Sequence, residues 1–299
     1  MATQKEVLHI MRKIYFGITL LVLFSFVTMV SANDLAFYSG PTNPGWISDK
    51  AVQENVKVIK DDPGVKALFN SIEDFGDGDE VGDNSPLAKW TKEHTDNGQQ
   101  DVIILACGTC PSGLYEFPNK DADGSNVENF VEAGNVVINV ADWIFYMSYE
   151  GGVRSPNNGP TGAANVFDID GLSFGARVGA MKPTDLGKKV MPSMEAFNSD
   201  RPWHVEQFKG SDWDLVIFGE ADKSNADPAV AISKSPGGDG TGMIAAMWQA
   251  AKPEWPGNTD IRGIGVAEFI NNWLAENGTF DVEAKNKLAT TWGTIKQTR

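Results

Sequence analysis

The chain has 299 residues, 41% of them hydrophobic and 22% charged, which excludes a disordered, collagen-like or coiled-coil protein and suits one large domain or two modest ones. Its 40 Asp and Glu against 25 Lys and Arg give a formal charge of -15, so a polyanion such as nucleic acid has no electrostatic reason to bind. Two cysteines exclude a disulfide-built miniprotein and a protein with several iron–sulfur clusters.

Residues 1–32 read as a signal peptide. Arg12 and Lys13 precede an apolar run from Ile14 to Val30, and Val30-Ser31-Ala32 supplies the small residues a signal peptidase needs; Met11 is an alternative start. The competing reading is a retained membrane anchor, because the run approaches spanning length. No cysteine stands at the cleavage position to carry a lipid. The expected product is an exported, periplasmic or extracellular, acidic domain over 33–299 with no membrane attachment after cleavage.

Leu35–Ser39 is a short apolar strand candidate closed by Gly40-Pro41-Thr42-Asn43-Pro44-Gly45. Ser48 caps a helix that carries Val52, Val56 and Ile59 on one face and ends near Asp62-Pro63-Gly64. The acidic, glycine-bearing stretch Glu73–Ser85 reads as loop with at most a short strand, and Leu87–Glu93 as a helix. Val102–Ala106 is apolar on both faces, as a parallel strand covered on both sides must be. Ser125-Asn126-Val127-Glu128 is a capping box, and its helix stops at Gly134. Val136–Ala141 is a second buried strand, which completes a βαβ unit. Gly151–Gly162 reads as a long surface loop, with further strands at Trp213–Gly219 and Met243–Trp248. Val266, Phe269, Ile270, Trp273 and Leu274 predict an amphipathic helix ending at Asn277-Gly278, followed by a last helix with Leu288, Trp292 and Ile295. The layout is a single α/β domain.

Three segments carry a family resemblance: the Asp101–Ala106 strand with its loop, Asn129–Asn139, and the chain end, where Gly237–Met243 leads into a strand and Ile261–Gly265 into a Trp-bearing helix. Together they resemble the class I glutamine-amidotransferase-like fold, and within it the ThuA-like (trehalose-utilisation) group, over most of Leu35–Glu276. The resemblance implies a flavodoxin-like layered, mainly parallel sheet with helices on both faces, and it transfers no activity. Amidotransferases of this fold carry a nucleophilic Cys on the sharp turn after the strand that here reads Val136–Ala141. In this chain that turn is Ala141-Asp142-Trp143, with nothing to attack a carbonyl. The pair His204-Val205-Glu206 matches the residues such enzymes use to activate the Cys, but here it has no nucleophile to serve.

Ligands of open parallel sheets bind beyond the carboxyl ends of the strands. Those ends carry Thr42 and Asn43, then Thr109 in Cys107-Gly108-Thr109-Cys110, then Asp142 and Trp143, with Tyr146 and Tyr149 close behind. The set suits a small polar or carbohydrate ligand; alternatively Trp143 and Tyr146 are core and Asp142 is a helix cap. If the domain is instead a ThuA-like enzyme acting on sugars, Asp142, His204 and Glu206 are its acid–base candidates. Cys107 and Cys110 read first as a local disulfide, with a redox-active pair or two buried thiols as the other readings. A zinc site would have to recruit His94 and His204, which is a weak pattern. Asn119–Ser125 alternates oxygen donors, so Asp121 and Asp123 are weak calcium candidates, with Glu128 or Glu132 as further ligands; Phe130 at the twelfth position excludes an EF-hand. Asp77, Asp79, Glu80 and Asp83 read as a solvated loop, and the glycines from Gly237 to Gly242 lack a P-loop's Lys-Ser/Thr. No cofactor is otherwise expected, and oligomeric state is not readable. N-terminal sequencing of the exported chain is expected to start at Asn33; an intact Met1 or Met11 terminus in a membrane fraction contradicts the signal-peptide reading.

Overall fold

The computed structural model describes residues 33–77, 82–116, 123–238, 240–251 and 260–280. The expected signal segment, the last predicted helix, Asp79, Glu80 and Asp121 lie outside them. In chain order the first half comprises β1 (Asp34–Tyr38), α1 (Asp49–Asp61), α2 (Pro63–Leu68), β2 (Ser71–Asp74), α3 (Pro86–His94), β3 (Val102–Leu105), β4 (Cys110–Pro111), α4 (Asn126–Glu132) and β5 (Val136–Val140). Next come β6 (Ser148–Glu150), β7 (Val153–Ser155), α5 (Gly159–Val166), β8 (Val178–Pro183), α6 (Asp185–Val190), β9 (Phe197–Ser199) and β10 (Trp203–His204). The remainder is β11 (Trp213–Ile217), β12 (Gly219–Asp222), β13 (Asn225–Ala226), β14 (Ala229–Ser233), β15 (Met243–Met247) and α7 (Arg262–Phe269), which continues through a π-helical turn at Ile270–Leu274.

The main sheet has seven strands in the order β11-β14-β15-β5-β3-β1-β2. β2, β1, β3, β5 and β15 pair in parallel, and β14 and β11 are added antiparallel at one edge. The chain is therefore an α/β domain. Every residue of β3, β5 and β15 is buried, which accounts for their unbroken apolar runs. α1 packs on α7, and α3 on α4. The buried Val52, Val56 and Ile59 of α1 are the residues its period selects, as are Val266, Phe269, Ile270, Trp273 and Leu274 in α7 and its continuation. No helix of the described residues is long and apolar enough to cross a membrane.

Local chemistry sets the helix ends where the sequence places them. Ser48 accepts from the Ala51 N–H, and Asp62 both ends α1 and caps α2 through the N–H groups of Gly64 and Val65. At α4 the capping box is complete: Ser125 Oγ accepts from Glu128 N, and Glu128 Oε2 accepts from Ser125 N at 2.7 Å. Gly134, at φ 107°, then turns the chain into β5.

The structure departs from the sequence reading in the second half. Gly151–Gly162 is not loop throughout. Gly151 and Gly152, both at positive φ, turn β6 into the antiparallel β7, and α5 begins at Gly159-Pro160. Trp213–Gly219 is not one strand: β11 ends at Ile217 in the main sheet, and β12 begins at Gly219 in a second, five-stranded antiparallel sheet. The fully buried Phe218 sits between them and packs on Phe269 and Trp273. Ser125→Ala is expected to lower stability by about 1 kcal/mol in a urea melt, because it strands the Glu128 N–H and releases the Glu128 side chain.

Candidate functional site at the carboxyl edge of the parallel sheet

β1, β3 and β5 are neighbours in the sheet, so the three loops that leave their carboxyl ends meet. Backbone geometry then puts Asp142 between them. Ala141 stands at φ 86° directly after β5, a conformation L-residues avoid, and the buried Asn139 side chain donates to the Asp142 carbonyl at 2.7 Å to hold that turn. Gly108, at φ 69°, lies against it in the loop after β3. A side chain at Gly108 would bring a Cβ to 2.6 Å from the Cβ of Asp142, so only glycine lets the two turns touch.

The Asp142 carboxylate is 4% exposed and accepts from its own turn, through Trp143 N at 2.7 Å. The Asn43 side chain lies close to it from the loop after β1, and Arg154 Nη2 reaches its Oδ2 at 3.4 Å. Arg154 Nε donates to Thr109 Oγ1 at 2.9 Å, and that hydroxyl donates to the Pro41 carbonyl at 3.3 Å. Thr109, Arg154 and Asp142 thus form one connected polar set, with Asn43 beside it. Burial pushes the Asp142 carboxyl up to about 6, although the Trp143 N–H and the charges of Arg154 and Arg201 pull the other way. Arg201 lies with its guanidinium 4.9 Å from the ring centre of Trp46 and 5.8 Å from that of Trp143.

Not every predicted residue joins this set. Thr42 donates to Asp49 at the start of α1 and faces solvent. Trp143 is 8% exposed and packs on Tyr146 and Phe174, so it belongs to the aromatic core, while Trp46 and Tyr146 are the half-buried rings at the edge. The Asp142 carboxylate accepts from the N–H next to it, yet no α-helix starts there, so it holds a turn and not a helix end. His204 ends β10 with its Nε2 against the Gly175 carbonyl at 2.7 Å, and Glu206 is exposed on the following turn. Among the described residues no hydrogen bond or ion pair connects either to Asp142.

Of the three readings of the cysteine pair, the structure takes that of two unpaired thiols. Cys107 and Cys110 are two buried thiols: Cys107 Sγ donates to the Gly40 carbonyl, and Cys110 lies in β4 paired with β6. Burial pushes Cys107 up to about 12 and Cys110 higher still, the opposite of what a thiolate nucleophile needs. His94 stacks on Trp90 and reaches Asp34 at the amino end of β1, the far end of the sheet from the cysteines, so no zinc set forms. Asp123 is exposed, and among the described residues no three His, Cys, Asp or Glu side chains gather on a common point for a metal ion.

The residues that sequence reasoning missed are Arg154, Arg201 and Trp46. Arg154 is placed by tertiary pairing: β4 aligns on β6, and β6 on β7 with Tyr149 opposite Arg154. One signal was available, since Arg154 is the only Lys or Arg between Lys120 and Arg177. Comparison with family models, with curated proteins and with solved structures finds no match to this chain.

The buried carboxyls set the pH dependence of stability. Asp142 is raised from 3.8 to about 6, and Asp227, fully buried against Ser199 and the Gln249 N–H, to about 7. The folded state therefore holds these protons where the unfolded chain releases them, so stability falls as pH rises from about 4 through 7. The exposed Asp61, held low by hydrogen bonds from Lys57 and Lys66, acts only at acid pH and in the other sense. Thermal melts are expected to show higher stability at pH 5 than at pH 8, and Asp142→Asn to flatten that slope by on the order of 1–3 kcal/mol.

Proposed function

We propose that this chain is an exported, non-catalytic binding domain of the ThuA-like, class I glutamine-amidotransferase-like kind, which takes a small polar or carbohydrate ligand at the carboxyl edge of its sheet. The observation that carries the reading is the connected set Asp142–Arg154–Thr109, with Asn43 beside it, poised where three parallel strands end. A carboxylate, a guanidinium, an amide and a hydroxyl together offer acceptors and donors in the alternation that vicinal hydroxyls require. Trp46 and Tyr146 bring ring faces to the same edge, although Arg201 already lies over one face of Trp46.

The finer fold assignment, a flavodoxin-like layered sheet with helices on both faces, belongs to the same proposal. Its support is the run of five parallel strands and the turn after β5, where Ala141 stands at positive φ. Glutaminase chemistry has no group to begin it at that turn. The second reading, a sugar-acting enzyme, is favoured by one feature: the Asp142 carboxyl, raised to about 6, is suited to give or take a proton near neutral pH. His204 and Glu206 do not support it from where they stand.

A thermal-shift screen of mono- and disaccharides, polyols and nucleosides tests the proposal. A true ligand at a hundredfold excess over its Kd should raise Tm by roughly 5–10 °C. Asp142→Asn and Thr109→Val should each abolish that rise while leaving a cooperative melt. Ammonia release from glutamine should stay at background. No rise with any compound, or a rise that both variants preserve, overturns the assignment of this edge; turnover of a sugar that Asp142→Asn abolishes replaces it with the enzyme.

A further inference from the structure

A cavity of about 280 Å³ lies on another part of the molecule, where α4, the residues after α5 and the entry to β11 meet. Glu128 and Glu132 of α4, Asp168 and Asp212 line it with Val166 and Trp213, and no Lys, Arg or His is among its walls. None of these four carboxylates takes part in an ion pair among the described residues. Lys234, whose backbone N–H bonds the Asp212 carbonyl, spends its ammonium on the Ser211 carbonyl and on Asp214.

Glu128 is the telling member. The residue lines the cavity and is 5% exposed; its Oε2 is spent on the capping box, and its Oε1 is buried with no hydrogen-bond partner. Leaving a buried carboxylate oxygen unpaired costs free energy that a cationic donor would recover. The fold also places Glu132 one turn along the same helix, and like charges at that spacing repel. Burial first, and the neighbouring carboxylates second, push Glu128, Glu132 and Asp168 above their ordinary values. A cation in the cavity would relieve all of these at once.

We propose that this cavity binds an organic cation with two separated ammonium groups, an aliphatic diamine or a longer polyamine, between the Glu128/Glu132 wall and the Asp168/Asp212 wall. A single metal ion fits less well. Calcium needs several oxygens converging within about 2.6 Å of one point, and among the described residues no three acidic, His or Cys side chains do so. The volume is that of a small organic ligand, close to the roughly 300 Å³ at which ligand pockets begin. Val166 and Trp213 supply apolar surface for a methylene chain between the two charged ends.

Isothermal titration calorimetry of the full chain with 1,4-diaminobutane tests this, with 1,4-butanediol as the uncharged isostere and Ca²⁺ alone as the competing occupant. The diamine should bind one-to-one and the diol should give no heat. Asp168→Asn combined with Asp212→Asn should weaken diamine binding at least tenfold; both residues are exposed, and Asn is tolerated at the positive φ of Asp168. Glu128→Gln, which keeps an acceptor for Ser125 N, should weaken it too, with a circular-dichroism melt to confirm that each variant is folded. Absence of diamine binding, diamine binding that the folded double variant retains, or binding of Ca²⁺ but not of the diamine overturns the proposal. None of these outcomes bears on the Asp142 edge, whose ligands are screened separately.

Discussion

A strand buried on both faces must turn at its carboxyl end without abandoning its polar groups, and at β5 one side chain makes that possible. Asn139 is fully buried in an otherwise apolar strand, and its amide donates to the Asp142 carbonyl across the turn. That bond holds Ala141 in a left-handed conformation the residue would not choose. The neighbouring strands end in the same way, with Gly108 beyond β3 and Trp248, at φ 48°, directly after β15. Three adjacent parallel strands therefore turn sharply at one edge, and the space above them is where Asp142 can be buried and still be reached by Arg154 and Asn43.

The second sheet is fastened to the first by a buried polar network at the same edge. Gln249, just after β15, accepts from the Ile144 N–H and donates to the Arg201 carbonyl at 2.7 Å. Its own N–H goes to Asp227, which also accepts from Ser199 at 2.6 Å. Buried polar networks of this kind specify a geometry more than they stabilise it. Here the geometry specified is the placing of Arg201 between Trp46 and Trp143. The cations of the edge are thus positioned by contacts far from them in sequence.

The strongly negative formal charge is not spread evenly in its consequences. Surface carboxylates such as Asp61 and Asp83 meet lysines and contribute little either way. At the sheet edge Arg154 and Arg201 temper the buried Asp142. Beside α4 the carboxylates face one another, apolar surface and two serines, with no Lys, Arg or His among the walls. The same composition therefore yields a donor-rich edge and an acceptor-rich cavity on one domain.

Local physics was legible in the sequence. Apolar runs marked β3, β5 and β15, a 3.6 period marked α1 and α7, and Ser125 with Glu128 marked the start of α4, because caps and periodicity act between residues a few positions apart. The order of loops along the chain likewise indicated that Asn43, Thr109 and Asp142 would share an edge, since parallel strands must all end on the same side. What the sequence could not decide was partnership at a distance. Thr42 went to Asp49 rather than to the cluster, Trp143 sank into the aromatic core, and Cys107 turned to the Gly40 carbonyl instead of to Cys110. Arg154 arrived through a three-strand register, and Arg201 through a network rooted in β15. Spacing along a chain reports which residues can be neighbours within an element. Which elements pack together, and hence which charges meet, depends on burying the whole apolar surface at once, and only the tertiary structure settles that.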